Sequence, residues 1–146
     1  MNQDFLDLLR AFTDREVRFL VVGAYALAFH GHPRATGDLD VWIDASPINS
    51  DRAYQALCAF GAPLNDLKAE DLVHPGVVYQ MGVAPFRIDI LTKLSGIAFE
   101  DAWPGRLVQD IEGLSVPFIG REALIHNKRA TGRTQDLADL EALGEA

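Results

Sequence analysis

Cysteine is nearly absent from this sequence. Cys58 is the only one in 146 residues, so an internal disulfide and a cysteine-based zinc site are both excluded. Long apolar runs are missing too. No stretch approaches the roughly 20 residues that a membrane-spanning helix needs, although 49% of the chain is hydrophobic. The start, Met1-Asn2-Gln3-Asp4, lacks the basic residues of a secretory signal. The chain is therefore expected to be cytoplasmic, with no membrane association. Positive charge is scarce: 13 Lys and Arg stand against 21 Asp and Glu, for a net charge of −8. That argues against a general nucleic-acid coat protein, whose affinity rests on excess Lys and Arg. A phosphate-handling enzyme stays open, because bound metal supplies positive charge locally. There is no internal repeat, low-complexity stretch or linker, and the length suits one domain over residues 1–146.

What the sequence does have is a pair of acids in an apolar setting. Residues 17–22 are β-branched and apolar and predict a buried strand, ended by Gly23. Residues 24–29 predict a short helix, closed by His30-Gly31-His32-Pro33. Asp38-Leu39-Asp40-Val41-Trp42-Ile43 predicts a second strand. Side chains alternate along a strand, so Asp38 and Asp40 share one face while Leu39, Val41 and Ile43 share the other. Carboxylates this close repel and raise each other's pKa unless a cation lies between them. A divalent metal is the simplest such partner, and hard oxygen ligands favour Mg2+. Gly23-Ala24 allows two readings: a helix start whose free N–H groups hold phosphate, or tight strand–helix packing with no ligand. Arg34 could hold a phosphate oxygen or be a solvated loop residue. His30 and His32 stand at i, i+2, which is not a zinc-helix spacing.

Elsewhere, residues 2–14 predict an amphipathic helix presenting Phe5, Leu6, Leu8, Leu9 and Phe12. Residues 48–60 predict another, carrying Ile48, Ala53, Tyr54, Leu57 and Phe60, with Cys58 as a packed core thiol. Residues 64–76 are mixed and suggest a short helix before a turn. Residues 77–82 and 86–91 predict a hairpin. Its second strand sets Asp89 between Ile88 and Ile90, sharing a face with Arg87 and Leu91. An acid there needs a partner: either Arg87 in a plain ion pair, or the metal of Asp38 and Asp40. Residues 97–105 read as irregular, with Trp103-Pro104 as a core anchor. Residues 107–111 and 114–119 predict a second hairpin, and Pro117 points to an edge strand. A helix over 121–130 follows. Thr134 is expected to cap a last helix to about Leu143, with Leu137, Leu140 and Leu143 on one stripe. Between residues 121 and 133, Arg121, Lys128, Arg129 and Arg133 face the single acid Glu122. Such a run is a solvated face unless it lies across from the carboxylates.

Three carboxylates on two strands suit a two-metal centre, which activates an attacking hydroxyl, neutralises a triphosphate and stabilises leaving pyrophosphate. Gly23-Ala24, 13 intervening residues, Asp38-Leu39-Asp40 and the later Ile88-Asp89-Ile90 together resemble the signature of the DNA polymerase β-like nucleotidyltransferase superfamily. The fuller string Gly23-Ala24-Tyr25-Ala26-Leu27, His30-Gly31, Arg34-Ala35-Thr36, Asp38-Leu39-Asp40 is similar to small bacterial nucleotidyltransferases of the abortive-infection toxin type. So is the tail Asn127-Lys128-Arg129-Ala130, Gly132-Arg133, Asp136-Leu137, Asp139-Leu140. The resemblance spans residues 17–143. It implies an α/β (α+β) fold, a small mixed β-sheet flanked by helices. It implies Mg2+ or Mn2+ on Asp38, Asp40 and Asp89, with Asp89 also helping to deprotonate the acceptor hydroxyl. NTP phosphates would lie at Gly23-Ala24, with Arg34 and Thr36 among the nucleotide contacts. Lys128 would touch the triphosphate, and Asp136 would support the same cleft. The acceptor would be a tRNA end, a protein Tyr or Ser, or a small molecule. A toxin–antitoxin setting, with an antitoxin or other partner chain, comes from the resemblance alone. Two departures matter. Ala24 stands where many active members have Ser, and little chain follows the basic helix to bind an acceptor.

Two rival readings remain. One is a nucleotide- or partner-binding module of the same fold that has lost turnover. The other is an α/β scaffold whose acids are all ion-paired, since unpaired buried charge is costly.

Overall fold

The computed structural model describes residues 1–33, 37–83 and 85–145. Six strands form one sheet: β1 (Phe19–Val22), β2 (Asp38–Ile43), β3 (Val78–Val83), β4 (Phe86–Leu91), β5 (Leu107–Ile111) and β6 (Leu114–Phe118). Their order is β3-β4-β2-β1-β6-β5. β2 runs parallel to β4 and β1 parallel to β6, while the β1–β2, β3–β4 and β5–β6 pairs are antiparallel. The helices are α1 (Gln3–Asp14), α2 (Gly23–Phe29), α3 (Pro47–Phe60), α4 (Phe99–Ala102), α5 (Arg121–Thr131) and α6 (Thr134–Ala142). This is the mixed sheet flanked by helices that the sequence implied. No helix among the described residues is long and apolar enough to cross a membrane.

Strand alternation decides what each face of the sheet does. Leu39, Val41, Ile43, Ile88 and Ile90 are buried. Phe5 of α1 and Phe60 of α3 lie beside Met81 and Ile88 on that same side. α1 begins at Asn2, whose side-chain oxygen accepts the Phe5 N–H at 2.9 Å, and it buries Phe5, Leu8, Leu9 and Phe12 as its pattern predicts. The opposite face carries Asp38, Asp40 and Trp42 on β2 and Arg87, Asp89 and Leu91 on β4. α4 covers the Trp42 end, with the Phe99 ring edge-on to Trp42 at 5.0 Å. The other end stays open: the Asp38 and Arg87 side chains are 41% and 38% exposed.

Several local expectations are corrected. Cys58 and Ile48 lie on the outward side of α3 and are exposed, because α3 turns Ala53, Ala56 and Leu57 inward. Residues 97–105 are not irregular but form α4 and a 3-10 turn over Trp103–Gly105. Trp103 is half-buried under two guanidinium groups, Arg106 at 3.9 Å and Arg18 at 4.8 Å from its ring centre. The short helix expected in residues 64–76 is present as a 3-10 helix, Ala69–Val73, followed by the expected turn. The strand of Pro117 is internal, not an edge. Its missing N–H is tolerated because β6 pairs with β1 at the single position Val21↔Phe118, where the Ile119 N–H reaches Val21 O at 3.0 Å.

The last helix departs most from its apolar pattern. Leu137 is 57% exposed, while Asp136 and Asp139 are buried at 1% and 3% exposure. Arg133, not Thr134, is the N-cap, and the Asp136 carboxylate accepts its backbone N–H at 3.2 Å.

Candidate active site

β2 and β4 pair in parallel with Asp38 opposite Arg87 and Asp40 opposite Asp89. Paired residues project to the same face, so three carboxylates and one guanidinium form a two-by-two array. Arg87 spans the array. Its Nε and Nη2 donate to Asp89 Oδ1 and Oδ2 at 2.9 and 3.2 Å, and Nη2 lies 3.4 Å from Asp38 Oδ2. That bidentate grip is the strong form of an Arg–carboxylate contact. Asp89 is 7% exposed. Among the described residues the array holds three acids and one base, and Asp40 feels the crowding. Burial, then the neighbouring Asp89 and Asp38 charges, push its carboxyl up to about 6 against the weaker opposing pull of Arg87.

Two glycines make the array possible. Val22 pairs with Asp40, so Gly23 follows directly beside the acids. Gly23 has φ +69°, and a Cβ there would stand 2.1 Å from Asp40 Oδ2. The missing side chain is therefore filled by the Asp40 carboxylate. This is the close packing allowed for by the second reading of Gly23-Ala24, and its neighbour is a site residue. Gly37, which sequence reasoning passed over, is equally constrained. A Cβ on it would lie 1.4 Å from Pro85 O, and its own carbonyl accepts the Arg87 N–H at 3.1 Å, extending the β2–β4 ladder past Asp38. The signal available in the sequence was a glycine directly before the acidic strand.

Gly23→Ala is expected to cost about 1–2 kcal/mol from backbone conformation alone and to move the Asp40 carboxylate. A thermal melt reads the first effect, and a changed Asp40 titration midpoint by NMR reads the second.

The raised Asp40 pKa sets a pH dependence. The folded state keeps this proton up to about pH 6, whereas the unfolded carboxyl loses it near 4. Between those values the folded state binds more protons, so stability from this group falls as pH rises. In metal-free buffer, Asp40→Asn is expected to melt higher than wild type at pH 8, with the gain shrinking towards pH 4. Melts at the two pH values check it.

The remaining predicted site residues fall elsewhere or outside view. Arg34 and Thr36 lie outside the described residues. Ala24 is buried in the first turn of α2, and the N-cap Val22 offers that turn no side-chain hydrogen bond. Lys128 is buried at 5% exposure, with Nζ 3.2 Å from Asp136 Oδ1 and 2.9 Å from Asp139 Oδ2. Arg133 Nε sits 2.7 Å from Asp136 Oδ2. Burial opposes the Asp136 charge, but hydrogen bonds from Arg133, Thr131 and Lys128 hold its carboxyl well below the usual range. Arg121 and Arg129 pair with Glu145 at 3.2 and 3.1 Å. The basic segment is thus matched by acids of the last helix and its tail, and the ammonium of Lys128 is held between α5 and α6. His30 Nε2 lies 2.9 Å from Ile119 O, in a packing contact.

Among the described residues no group of three His, Cys, Asp or Glu stands at metal-binding geometry. Arg87 occupies the cation's role between Asp38 and Asp89. The donor set still suits a hard divalent ion: all carboxylate oxygen, with Asp40 pushed up to about 6 by burial and by the neighbouring Asp89 and Asp38 charges. Mg2+ or Mn2+ on Asp38, Asp40 and Asp89 would compete with Arg87 for two of the three.

No protein-family model matches the chain, and no curated protein matches it. Solved structures do resemble it in fold. One is a candidate nucleotidyltransferase of Thermotoga maritima, TM1012, at 15% identity and TM-score 0.61, covering 100% of this chain and 97% of the other. Another is the lincosamide antibiotic adenylyltransferase LnuA in its lincomycin-bound form, at 15% identity and TM-score 0.62, covering 99% of this chain and 96% of the other. The chain has the fold of these nucleotidyltransferase structures.

Proposed function

We propose that this chain, as a single domain over residues 1–146, transfers a nucleoside monophosphate from an NTP to a hydroxyl acceptor. The register of β2 on β4 carries the reading, because it sets Asp40 beside Asp89 and puts Asp38 on the same face, with the Asp40 carboxylate packed against Gly23. Asp38, Asp40 and Asp89 would hold Mg2+ or Mn2+. Bound metal would neutralise the triphosphate and acidify the attacking hydroxyl. Asp89 would take the hydroxyl proton. The uncapped N–H groups at Gly23 and Ala24 would bind phosphate oxygens by backbone alone, since Ala24 has no hydroxyl. Arg34, Thr36 and Lys128 are kept as nucleotide contacts on the resemblance only. The fold shared with an adenylyltransferase of an antibiotic supports ATP and a small-molecule acceptor. A tRNA or protein acceptor, an antitoxin partner and a cytoplasmic setting rest on the sequence.

One observation favours the second reading, a binding module without turnover: Arg87 already pairs with two of the three acids. The two readings separate when the protein is incubated with each α-labelled NTP, Mg2+ or Mn2+, and in turn hydroxyl-bearing small molecules, total tRNA and lysate protein. Label transfer that Asp40→Asn abolishes supports the enzyme. Saturable NTP binding with no transfer to any acceptor supports the module.

A further inference from the structure

We propose that the pocket at the carboxyl ends of β2 and β4 holds the acceptor, a small hydroxyl-bearing molecule with an apolar body. This rests on the nucleotidyl-transfer reading and names the substrate class for it. The pocket has a volume of about 490 Å³, within the range that encloses a drug-sized ligand. Trp42, Leu94, Ile97 and Phe99 give it apolar walls, and Asp44 and Lys93 add charge.

Its position relative to the acids carries the inference. Trp42 is the next residue after Asp40 on the same face of β2, and its register partner Leu91 is the next after Asp89 on β4. Same-face neighbours on a strand are about 7 Å apart, so the pocket wall begins one step beyond the carboxylates. Gly23 lies at the opposite end. β1 runs antiparallel to β2 and reaches Asp40 at Val22, so α2 starts beside the amino end of β2. The acids thus stand between the Gly23 turn, where the proposed function puts the phosphates, and a pocket with apolar walls.

Phosphoryl chemistry needs that arrangement, because the attacking and leaving oxygens lie in line on opposite sides of phosphorus. With pyrophosphate leaving towards Gly23-Ala24, the hydroxyl enters from the pocket side. Its oxygen bonds to the α-phosphorus, the bond from that phosphorus to the bridging α–β oxygen breaks with its electron pair going to pyrophosphate, and the hydroxyl proton passes to Asp89. Asp44 and Glu100 in the pocket wall are both paired to Arg18, at 3.3 and 4.0 Å, and Lys93 stands among the lining residues, so the polar part of the wall carries both signs of charge.

The test uses Prodan, a neutral naphthalene dye whose emission shifts to the blue in apolar surroundings. Ala98→Trp fills the pocket from an exposed position at the start of α4, and Ala45→Trp fills it from the β2 side. Prodan is expected to bind wild type and Asp40→Asn alike, and both filled variants about tenfold more weakly. Equal binding to all four proteins, or none to wild type, overturns the pocket. In a second arm, α-labelled NTP and Mg2+ are offered arylalkyl alcohols or total tRNA. Transfer to the alcohols that Ala98→Trp abolishes, with NTP binding intact, supports the assignment. Transfer to tRNA that survives Ala98→Trp overturns it. Prodan binding with no transfer to any acceptor contradicts the nucleotidyl-transfer reading itself and leaves the pocket standing.

Discussion

Asp40→Asn and Asp89→Asn are each expected to lower the proposed nucleotidyl transfer by about a thousandfold, since metal-held charge stabilisation is worth several kcal/mol and each factor of ten is about 1.4 kcal/mol. The two losses are not additive, because the carboxylates stand opposite each other in one register and act on one charge. Asp40→Asn also separates function from folding. It removes a burdened carboxylate, held near pKa 6 by burial and two neighbouring acids, so activity falls while metal-free stability at pH 8 rises. Initial rates with saturating labelled NTP, read beside melts of the same samples, check both halves. Loss of stability together with activity in Asp40→Asn would point to an acid with only a structural ion-pair role.

Lys128→Met carries the largest expected stability loss. The Lys128 side chain is 6% exposed, and it sits between Asp136 and Asp139 side chains at 1% and 4%. Removing one partner of a buried charge group costs about 3–5 kcal/mol, which at 2–4 °C per kcal/mol lowers Tm by roughly 10 °C. Arg133 still holds Asp136 after the change, whereas Asp139 loses its 2.9 Å ion pair with Lys128 and retains the Gln135 amide at 2.9 Å. Lys128→Met/Asp139→Leu is therefore expected to recover part of the loss. Arg129→Ala serves as the contrast. Its pair with Glu145 is exposed, and its removal costs under about 1 kcal/mol. The same variant decides the role that the resemblance gives Lys128. Weaker NTP binding at unchanged Tm would restore the triphosphate contact, whereas a large fall in Tm makes Lys128 the clasp between α5 and α6.

Asp38, Asp40 and Asp89 could be read from sequence because the cue is local. Strand alternation alone sets Asp38 and Asp40 on one face, and an acid between Ile88 and Ile90 marks itself as exceptional. The register joining those acids is not local, and neither is anything that depends on it. Gly37 matters only because β2 lies against Pro85 and Arg87, and Arg87 bridges Asp38 only because it sits directly opposite. The sequence posed Arg87 and metal as alternatives for Asp89, and the structure shows the Arg87 pair already made. Helix faces failed where polar burial overrode the apolar stripe. Leu137 turned outward because Lys128 draws Asp136 and Asp139 inward. Pro117 misled because proline marks an edge only when its N–H side would have been paired, and here the β1–β6 ladder is a single position.

Whether Asp38, Asp40 and Asp89 form a cation site serving a nucleotide is read by Mn2+ electron paramagnetic resonance with a non-hydrolysable ATP analogue present, against the same Mn2+ and analogue without protein. Wild-type protein is expected to lower the free-ion signal saturably below that reference, and Asp40→Asn and Asp89→Asn, still folded by circular dichroism, are not. A free-ion signal that wild-type protein leaves unchanged would contradict such a site and leave the acids as an ion-paired face organised by Arg87.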